Sequence, residues 1–282
     1  MTDTHTLVDS GNGKKLEQFG PYLIVRPAFH AIWEPRLSED EWKKADAVFT
    51  REGELRWVKK AKDKWVVELA GIKFQLSATK FGHLGVFPEQ KDLWLWMESA
   101  LKERIKNDTD DVRVLNLFAY SGGATLIAAK VGAHVCHLDA SKGMVSWARE
   151  NGELNQLQDR PIRWIVEDVK KFLTREIRRG RQYEAIVLDP PTYGRGSQGQ
   201  VFKFERDVRI LLKQCRQLLS DRPLFLLLSS HTPSVTPMVL SNLLEQTMKN
   251  CGGEIDCGEM LLRGRSEHFS LPNGIFARWH HE

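Results

Sequence analysis

Residues 112–130 combine the patterns of a strand, a turn and a helix, and they are the starting point for predicting the fold. Their sequence is V-R-V-L-N-L-F-A-Y-S-G-G-A-T-L-I-A-A-K. The apolar run over 112–118 predicts a buried strand, and A-T-L-I-A-A-K over 124–130 predicts a helix. Between them, residues 121–123 form a turn of small residues, where a backbone can approach a ligand closely. The spacing is not G-x-G-x-x-G, so a plain strand–helix turn is an equal alternative at this point.

The alternation of strand and helix continues towards the C-terminus. Near-continuous apolar strands separated by helices predict a parallel sheet covered on both faces. Two final strands, around 255–262 and 275–280, have no helical pattern between them. They predict an antiparallel member, because parallel neighbours need a long crossover. The other predicted strands are 112–118, 133–139, 162–167, 183–189 and 223–229, and the helices are 124–130, 142–156, 169–179, 205–219 and 236–250.

The first part of the chain has a different pattern. Residues 1–85 read as a small strand-rich region, and the α/β domain is expected over residues 86–282, opening with a helix from about Glu89. Ala70-Gly71 is a plausible hairpin turn between two of the strands. The candidate strands of this region are 22–26, 54–58, 65–69 and 72–76.

Composition excludes some classes of protein and leaves others open. The formal net charge of +4 over 282 residues is too small to establish a nucleic-acid partner. The sequence has no apolar stretch long enough to cross a bilayer, and its polar N-terminus M-T-D-T-H-T is unlike a signal peptide. The four cysteines lack zinc-type C-x-x-C spacing and are typical of reduced thiols. We therefore expect a cytoplasmic protein, with no metal site and no membrane association.

Three predicted strands end in acidic residues. Asp139 stands where a carboxylate can accept hydrogen bonds from ribose hydroxyls, and Asp168 where one can bond an adenine amino group. The alternative is helix capping, by Asp139 or Ser141 in the first case and by Asp168 in the second. Asp189 opens D-P-P-T-Y, in which two prolines stiffen the turn after a buried strand. Three acidic strand ends beside the small-residue turn favour a ligand site.

Together these segments resemble the class I S-adenosylmethionine-dependent methyltransferases, and more closely the bacterial large-subunit ribosomal RNA methyltransferases and their relatives. The resemblance covers most of the chain and implies a Rossmann-like fold, with a mostly parallel seven-stranded sheet and a terminal antiparallel strand. The segments that carry it are N-L-F-A-Y-S-G-G (116–123), L-D-A-S (138–141), Asn151 and Asn155 in E-N-G-E-L-N, E-D-V (167–169), D-P-P-T-Y (189–193) and H-L-G-V-F-P-E-Q (83–90).

The resemblance implies S-adenosyl-L-methionine as the cofactor. Residues 116–123 would lie beside its methionine moiety, Asp139 would hold the ribose, Asp168 and Val169 would meet the adenine, and residues 83–90 would cover the site. The cofactor-binding residues so implied are His83, Gly85, Phe87, Gln90, Asn116, Phe118, Ala119, Tyr120, Ser121, Gly122, Gly123, Asp139, Ala140, Ser141, Asp168, Val169, Asp189 and Pro191.

The acceptor side is assigned to the start of D-P-P-T-Y. Asp189 could accept a hydrogen bond from the acceptor or from the amino group of the cofactor. Pro190 could present its carbonyl, and Tyr193 could stack on a base taken out of its helix. These three are the candidate catalytic residues. Tyr193 sits one place later than the aromatic of D-P-P-Y, so a rigid turn with Tyr193 packed on the protein is the alternative. His231 could orient the acceptor or take a proton, or make an ordinary loop hydrogen bond.

Cysteine chemistry is disfavoured. Methylation at C5 of a pyrimidine normally needs a thiolate that adds to the ring first. Related enzymes place that cysteine after the prolines or at the end of the next strand, where this chain has Thr192 and Ser229–His231. We therefore predict methylation at a nitrogen, or another mechanism without a cysteine nucleophile.

Local charge favours RNA as the partner, and the resemblance implies ribosomal RNA. Lys and Arg dominate 170–181, with Glu176 as the single acid, and further basic residues occur in 59–64 and 195–203. The alternative for these runs is a solvated helix face. Other functions left open are methylation of a protein or small molecule and S-adenosylmethionine binding without catalysis. An NAD-dependent dehydrogenase is disfavoured by the missing phosphate fingerprint.

Overall fold

The computed structural model describes residues 3–50, 56–59, 61, 64–107, 111–195, 199, 201–264 and 270–281. The chain divides into two compact units, and each is described by itself. The first comprises Met1–Asp92 and Met260–Asn273, and the second Leu93–Glu259 and Gly274–Glu282.

The first unit is rich in strands, as the sequence indicated. Five strands form one sheet in the order β1-β2-β3-β4-β5, and β6 and β7 form a separate antiparallel pair. Of the predicted strand 54–58, residues 54 and 55 lie outside the described residues. The elements are β1 His5–Gly11, β2 Lys14–Phe19, β3 Tyr22–Pro27, α1 Glu39–Trp42, β4 Ala47–Thr50, β5 Arg56–Lys59, β6 Trp65–Leu69, β7 Ile72–Leu76 and a 3₁₀ turn Pro88–Gln90.

Two hairpin turns of this unit have the same backbone conformation. Ala70 and Gly71, between β6 and β7, have φ of 52° and 68°, which matches the turn expected from the sequence. Asn12 and Gly13, between β1 and β2, have φ of 49° and 73°. Asn-Gly is a strong hairpin signal, and the sequence prediction missed it together with both flanking strands.

The unit boundary differs from the division after residue 85 that the sequence suggested. Leu262 and Leu271 pack with Leu7 and Ala31 in an apolar cluster of the first unit. Segment 260–273 groups with this unit because its apolar side chains are buried there. Such a contact joins residues far apart in the chain, so local patterning does not encode it.

The second unit contains the alternation predicted from residues 112–130 onward. The first two residues of α2 fall in the first unit, and the last two strands contribute to both. The elements are α2 Lys91–Asn107, β8 Arg113–Leu117, α3 Gly123–Lys130, β9 His134–Asp139, α4 Lys142–Leu154, β10 Ile162–Val166, α5 Val169–Arg178, β11 Ala185–Leu188, β12 Tyr193–Arg195, β13 Val201–Lys203, α6 Phe204–Leu218, β14 Phe225–Ser230, α7 Pro237–Thr247, β15 Glu254–Leu262 and β16 Leu271–His280.

A seven-stranded sheet runs in the order β10-β9-β8-β11-β14-β16-β15. The first five strands are parallel to one another, whereas β16 is antiparallel to β14. The predicted fold is therefore confirmed. The short pair β12–β13 was not among the strands predicted from the sequence.

One face of the sheet packs against α5, α6 and α7. Alternate residues of β8 and β11, such as Leu115 and Ile186, are fully buried against Phe172, Leu212 and their neighbours. Fully burying one such side chain contributes about 1.5–3 kcal/mol, so this layer fixes the strand register. Among the described residues, no helix is long and apolar enough to span a membrane.

Candidate cofactor and acceptor site

The carboxyl ends of the parallel strands lie in one row. Leu117 of β8 is level with Leu138 of β9 and Leu188 of β11, and Leu188 is level with Leu228 of β14. The chain order reverses beside β8, which marks the switch point where such sheets bind ligands. The next residues along these four strands are Phe118, Asp139, Asp189 and Ser229.

The loop from β8 into α3 has an unusual backbone. Phe118 and Tyr120 take left-handed conformations, with φ of 56° and 50°, and Gly122 follows with φ of 96°. Asn151 of α4 donates its Nδ2 hydrogen to the Ser121 carbonyl at 3.0 Å, which fixes the loop from the side. Within the described residues no side chain caps α3 at Gly122, so its first N–H groups suit a carboxylate such as that of a methionine moiety.

Packing accounts for both glycines of this loop. A Cβ on Gly123 would lie 2.2 Å from Cζ2 of Trp94, a residue of α2. A Cβ on Gly122 would lie 3.2 Å from that of Ala148 in α4. From the sequence, these glycines were interpreted as allowing a ligand to approach the backbone. The structure adds close helix packing, which could not be predicted without knowing that Trp94 and Ala148 lie opposite.

Asp139 is held by the backbone on both carboxylate oxygens. Oδ2 accepts the Tyr120 N–H at 3.0 Å, and Oδ1 accepts the Ser141 N–H at 2.8 Å. Ser141 caps α4 by accepting the Met144 N–H, so Asp139 is not the cap. Burial raises the pKa of Asp139 above its ordinary value. An ionised carboxylate has about four acceptor sites, so this one fits two ribose hydroxyls in addition to its amides.

Asp168 caps α5, which was the alternative for this residue. Its Oδ1 accepts the Lys171 N–H at 3.1 Å. Val169 begins α5 and is buried. Capping occupies part of the carboxylate and leaves the predicted adenine contact a proposal.

Asn116 is buried and belongs to a polar chain inside the sheet. Its Nδ2 donates to Thr125 Oγ1 at 2.9 Å, and that oxygen lies 2.9 Å from Nδ1 of His137. Burial lowers the pKa of His137 to about 3, so the imidazole is neutral. Sequence reasoning missed Thr125 and His137, because each reads as an ordinary core position.

The predicted covering residues His83, Gly85, Phe87 and Gln90 belong to the first unit. The His83 and Phe87 rings are 5.4 Å apart, and the Gln90 N–H donates to the Phe87 carbonyl at 3.1 Å. The segment is internally ordered by these contacts. Its place over the cofactor stays a prediction.

Asp189 is held by side chains. Its Oδ1 accepts the Ser229 hydroxyl at 2.8 Å and lies 3.8 Å from Nδ1 of His231. Pro190 is buried, Pro191 is exposed, and Tyr193 is 49% exposed. Both roles predicted for Tyr193, stacking on a base and packing on the protein, stay predictions.

Hydroxyl groups occupy the positions where a cysteine nucleophile would be expected. Thr192 Oγ1 and Ser230 Oγ each lie 3.0 Å from Oγ1 of the buried Thr232, which ties the proline turn to the end of β14. Cys136 and Cys215 are poor nucleophiles, because burial raises the pKa of Cys136 to about 11 and of Cys215 to about 12.

Much of the basic run 170–181 is neutralised locally. Arg175 pairs with Glu167 at 2.6 Å, and Lys170 with the buried Asp207 at 2.8 Å. Arg179 pairs with the buried Glu176 at 3.4 Å. These ion pairs stabilise α5 and reduce the positive charge that is available to an RNA phosphate backbone. In the other two basic runs, residues 60, 62, 63, 196–198 and 200 lie outside the described residues.

Strand order, switch point and acidic strand ends define a Rossmann-like, cofactor-binding α/β domain. The model of the S-adenosylmethionine-dependent methyltransferase family matches residues 49–254. The chain belongs to this family, whose cofactor is S-adenosylmethionine, and the predicted class and cofactor are confirmed.

Solved structures agree with this assignment. A SAM-dependent methyltransferase from Agrobacterium tumefaciens is 39% identical, covering 99% of this chain and 91% of that one with a TM-score of 0.92. A structure assigned as a methyltransferase in complex with SAH is 17% identical and covers 98% and 75%, with a TM-score of 0.74. The second likeness shows the fold alone.

Several relatives carry the names of ribosomal RNA enzymes. Ribosomal RNA large subunit methyltransferase K of Neisseria meningitidis is 28% identical over 57% of this chain and 44% of its own length. Ribosomal RNA large subunit methyltransferase I of Aeromonas salmonicida is 33% identical over 45% and 31%. The matches thus span less than half the length of either relative.

Proposed function

We propose that this chain transfers the methyl group of S-adenosylmethionine to a nitrogen of a base in structured RNA, with ribosomal RNA as the first candidate. The cofactor, when bound, supplies a methyl group on a positively charged sulfur. The observation that carries the proposal is the row of strand ends, where Asp139 and Asp189 stand on the two strands that flank β8. The names of the relatives support RNA as the substrate.

On the cofactor side, Asp139 would accept hydrogen bonds from the ribose hydroxyls. The N-terminus of α3 would bind the carboxylate of the methionine moiety, since backbone N–H groups and the helix dipole favour an anion there. Asp168 and Val169 would meet the adenine, and residues 83–90 would cover the site.

On the acceptor side, alignment is the main requirement, because in-line displacement depends on the geometry of donor and acceptor. Asp189 would accept an N–H of the base and so orient the nitrogen lone pair. Pro190 would present its carbonyl to the same group, while Pro191 restricts the turn. The exposed Tyr193 would stack on a base extruded from its helix.

The hydroxyls of Thr192, Ser229 and Ser230 favour this assignment over C5 chemistry. A hydroxyl cannot replace a thiolate as the adding nucleophile at neutral pH, and Cys136 and Cys215 are buried inside elements. We place the activity in the cytoplasm, where ribosomal RNA is modified and thiols stay reduced.

The test is methyl transfer from labelled S-adenosylmethionine to ribosomal RNA isolated from a strain lacking this protein. We expect label in RNA, and mass spectrometry of the digested nucleosides should place it on a base nitrogen. Label found only in protein or small metabolites would overturn the RNA proposal. Tight cofactor binding without transfer to any fraction of a cell extract would indicate a non-catalytic binding protein.

A further inference from the structure

Phe118 connects the two parts of the candidate site. The cofactor half comprises residues 116–123, Asp139 and Asp168, and the acceptor half comprises residues 189–193. It is the first residue beyond β8, in the row that also contains Asp139 and Asp189. Its left-handed backbone is held because Ala119 donates to the Leu138 carbonyl at 3.0 Å. An aromatic residue rarely adopts this conformation, and it persists only where the surroundings determine it.

The Phe118 side chain packs on the acceptor half. Its ring centroid lies 5.3 Å from that of Phe202 in β13, at an interplanar angle of 59°. Such tilted pairs contribute beyond the area that they bury. Phe202 is buried, with 8% of its surface exposed, and is level with Gly194 of β12.

The pair β12–β13 continues the proline turn directly. Tyr193 opens β12, and a Cβ on Gly194 would lie 3.1 Å from Cγ of Pro191, so turn and pair are closely packed. The C-terminal end of the pair is fixed separately, because Asp207 accepts the Lys203 N–H at 2.8 Å. Lys203 is level with Tyr193, so this bond fixes the end of the pair at which Tyr193 stands, and Phe202 is the next residue of β13.

We propose that Phe118 and Phe202 are positioning residues that couple cofactor binding on the 118–123 loop to the placement of Tyr193 on the β12–β13 pair. Neither acts on the reacting atoms. A cofactor that fixes the 118–123 loop also fixes the Phe118 ring. Through the contact with Phe202, it then fixes the β12–β13 pair that contains Tyr193. This inference rests on the proposed function, which assigns cofactor and acceptor to these two segments.

The test compares wild type with Phe118→Leu, Phe202→Leu and the double variant. In wild type, SAH should slow hydrogen exchange of the β12 and β13 amides. Either single variant should lose this slowing, and Phe202→Leu should keep its SAH affinity within about threefold while kcat falls about tenfold or more. The double variant should be no worse than the poorer single one, as expected for residues acting through one contact.

Two further variants separate positioning from loss of packing. Phe202→Tyr retains the ring and should restore both kcat and the slowing by SAH. Phe225→Leu makes the same change at the amino end of β14, in a fully buried residue, and should lower thermal stability while leaving both readouts unchanged. Wild-type slowing in folded Phe202→Leu, or additive losses in the double variant, would overturn the inference. Failure of wild type to methylate RNA would count against the proposed function instead, since the exchange experiment needs SAH alone.

Discussion

Asp139 and Asp189 occupy equivalent places on the two strands beside β8, yet they are held in different ways. Backbone amides of Tyr120 and Ser141 fix Asp139, whereas the Ser229 hydroxyl fixes Asp189. Backbone donors persist whatever the side chains, so the cofactor half depends on the fold. The acceptor half depends on a few replaceable hydroxyls. If the proposed roles are right, the carboxylate that binds the cofactor is positioned by main chain and the one that binds the acceptor by a side chain.

The largest expected effect tests the acceptor half. Asp189→Asn keeps the shape and can still accept the Ser229 hydroxyl, but it loses the charge that orients an N–H of the base. We expect kcat to fall about 100-fold, the scale of a misaligned acceptor, while SAH affinity measured by calorimetry stays unchanged. A loss of affinity with kcat preserved would move Asp189 to the cofactor half.

The next largest effect tests the cofactor half. Asp139→Ala removes a charged acceptor for the ribose, and hydrogen bonds to charged groups contribute about 1.5–3 kcal/mol. We expect SAH affinity to fall between about 10-fold and 100-fold, with kcat at saturating cofactor changed much less. Unchanged affinity would contradict the ribose assignment and leave Asp139 as an anchor of the Tyr120 backbone.

The pH dependence of SAH affinity should further distinguish the cofactor half from the acceptor half. Burial raises the pKa of Asp139 in the folded protein, so it takes up a proton at higher pH than an ordinary aspartate. Protonation removes an acceptor, so SAH affinity should decline as pH falls through this raised pKa. The stability of the cofactor-free protein should change with pH in the opposite direction. The stabilising contribution of Asp139 is fully present below its pKa in the unfolded state and is lost as pH rises through its pKa in the folded state. Calorimetry across the acidic range checks the affinity, and Asp139→Ala should flatten the dependence.

A smaller effect is expected from the side chain that holds Asp189. Ser229→Ala removes one hydrogen bond, about 0.5–1.5 kcal/mol, so kcat should fall about threefold to tenfold without a change in SAH affinity. Ser230→Ala is the matched control, because its hydroxyl bonds Thr232 and not Asp189. Steady-state kinetics giving equal losses in both variants would show that the whole hydroxyl chain acts, and not the Ser229 bond.

Sequence patterning predicted the parts of the fold whose side chains alternate regularly. The strands β8, β9 and β11 are apolar runs, and their register brings the predicted acids to one edge. Strand β2, K-K-L-E-Q-F, was missed because it buries charge. Glu17 accepts two hydrogen bonds from Arg26, which lies 2.6 Å away on β3, and it also pairs with Lys15 at 3.6 Å, so partners compensate the buried charge.

The candidate site shows the same limit. The identities of Asp139 and Asp189 could be predicted, because strand ends follow from periodicity. Their partners could not, because Tyr120 and Ser141 reach Asp139 through loop geometry, and Ser229 reaches Asp189 through the pairing of β14 with β11. The pair β12–β13 was also missed, because it contains few residues and is supported by the contact between Phe118 and Phe202.

The smallest effect concerns Asp168, whose two assigned roles can be separated. Asp168→Ala removes the α5 cap, at a cost of about 1 kcal/mol, and should lower Tm by about 2–4 °C. Asp168→Ser restores a cap but is too short to reach an adenine amino group. If Asp168 serves both roles, Ser should recover Tm while SAH affinity stays reduced as in Ala. Recovery of both by Ser would show that Asp168 acts on the cofactor only by fixing the start of α5. Asp168 would then act through the start of its helix, which is also the place where the Ser141 hydroxyl caps α4.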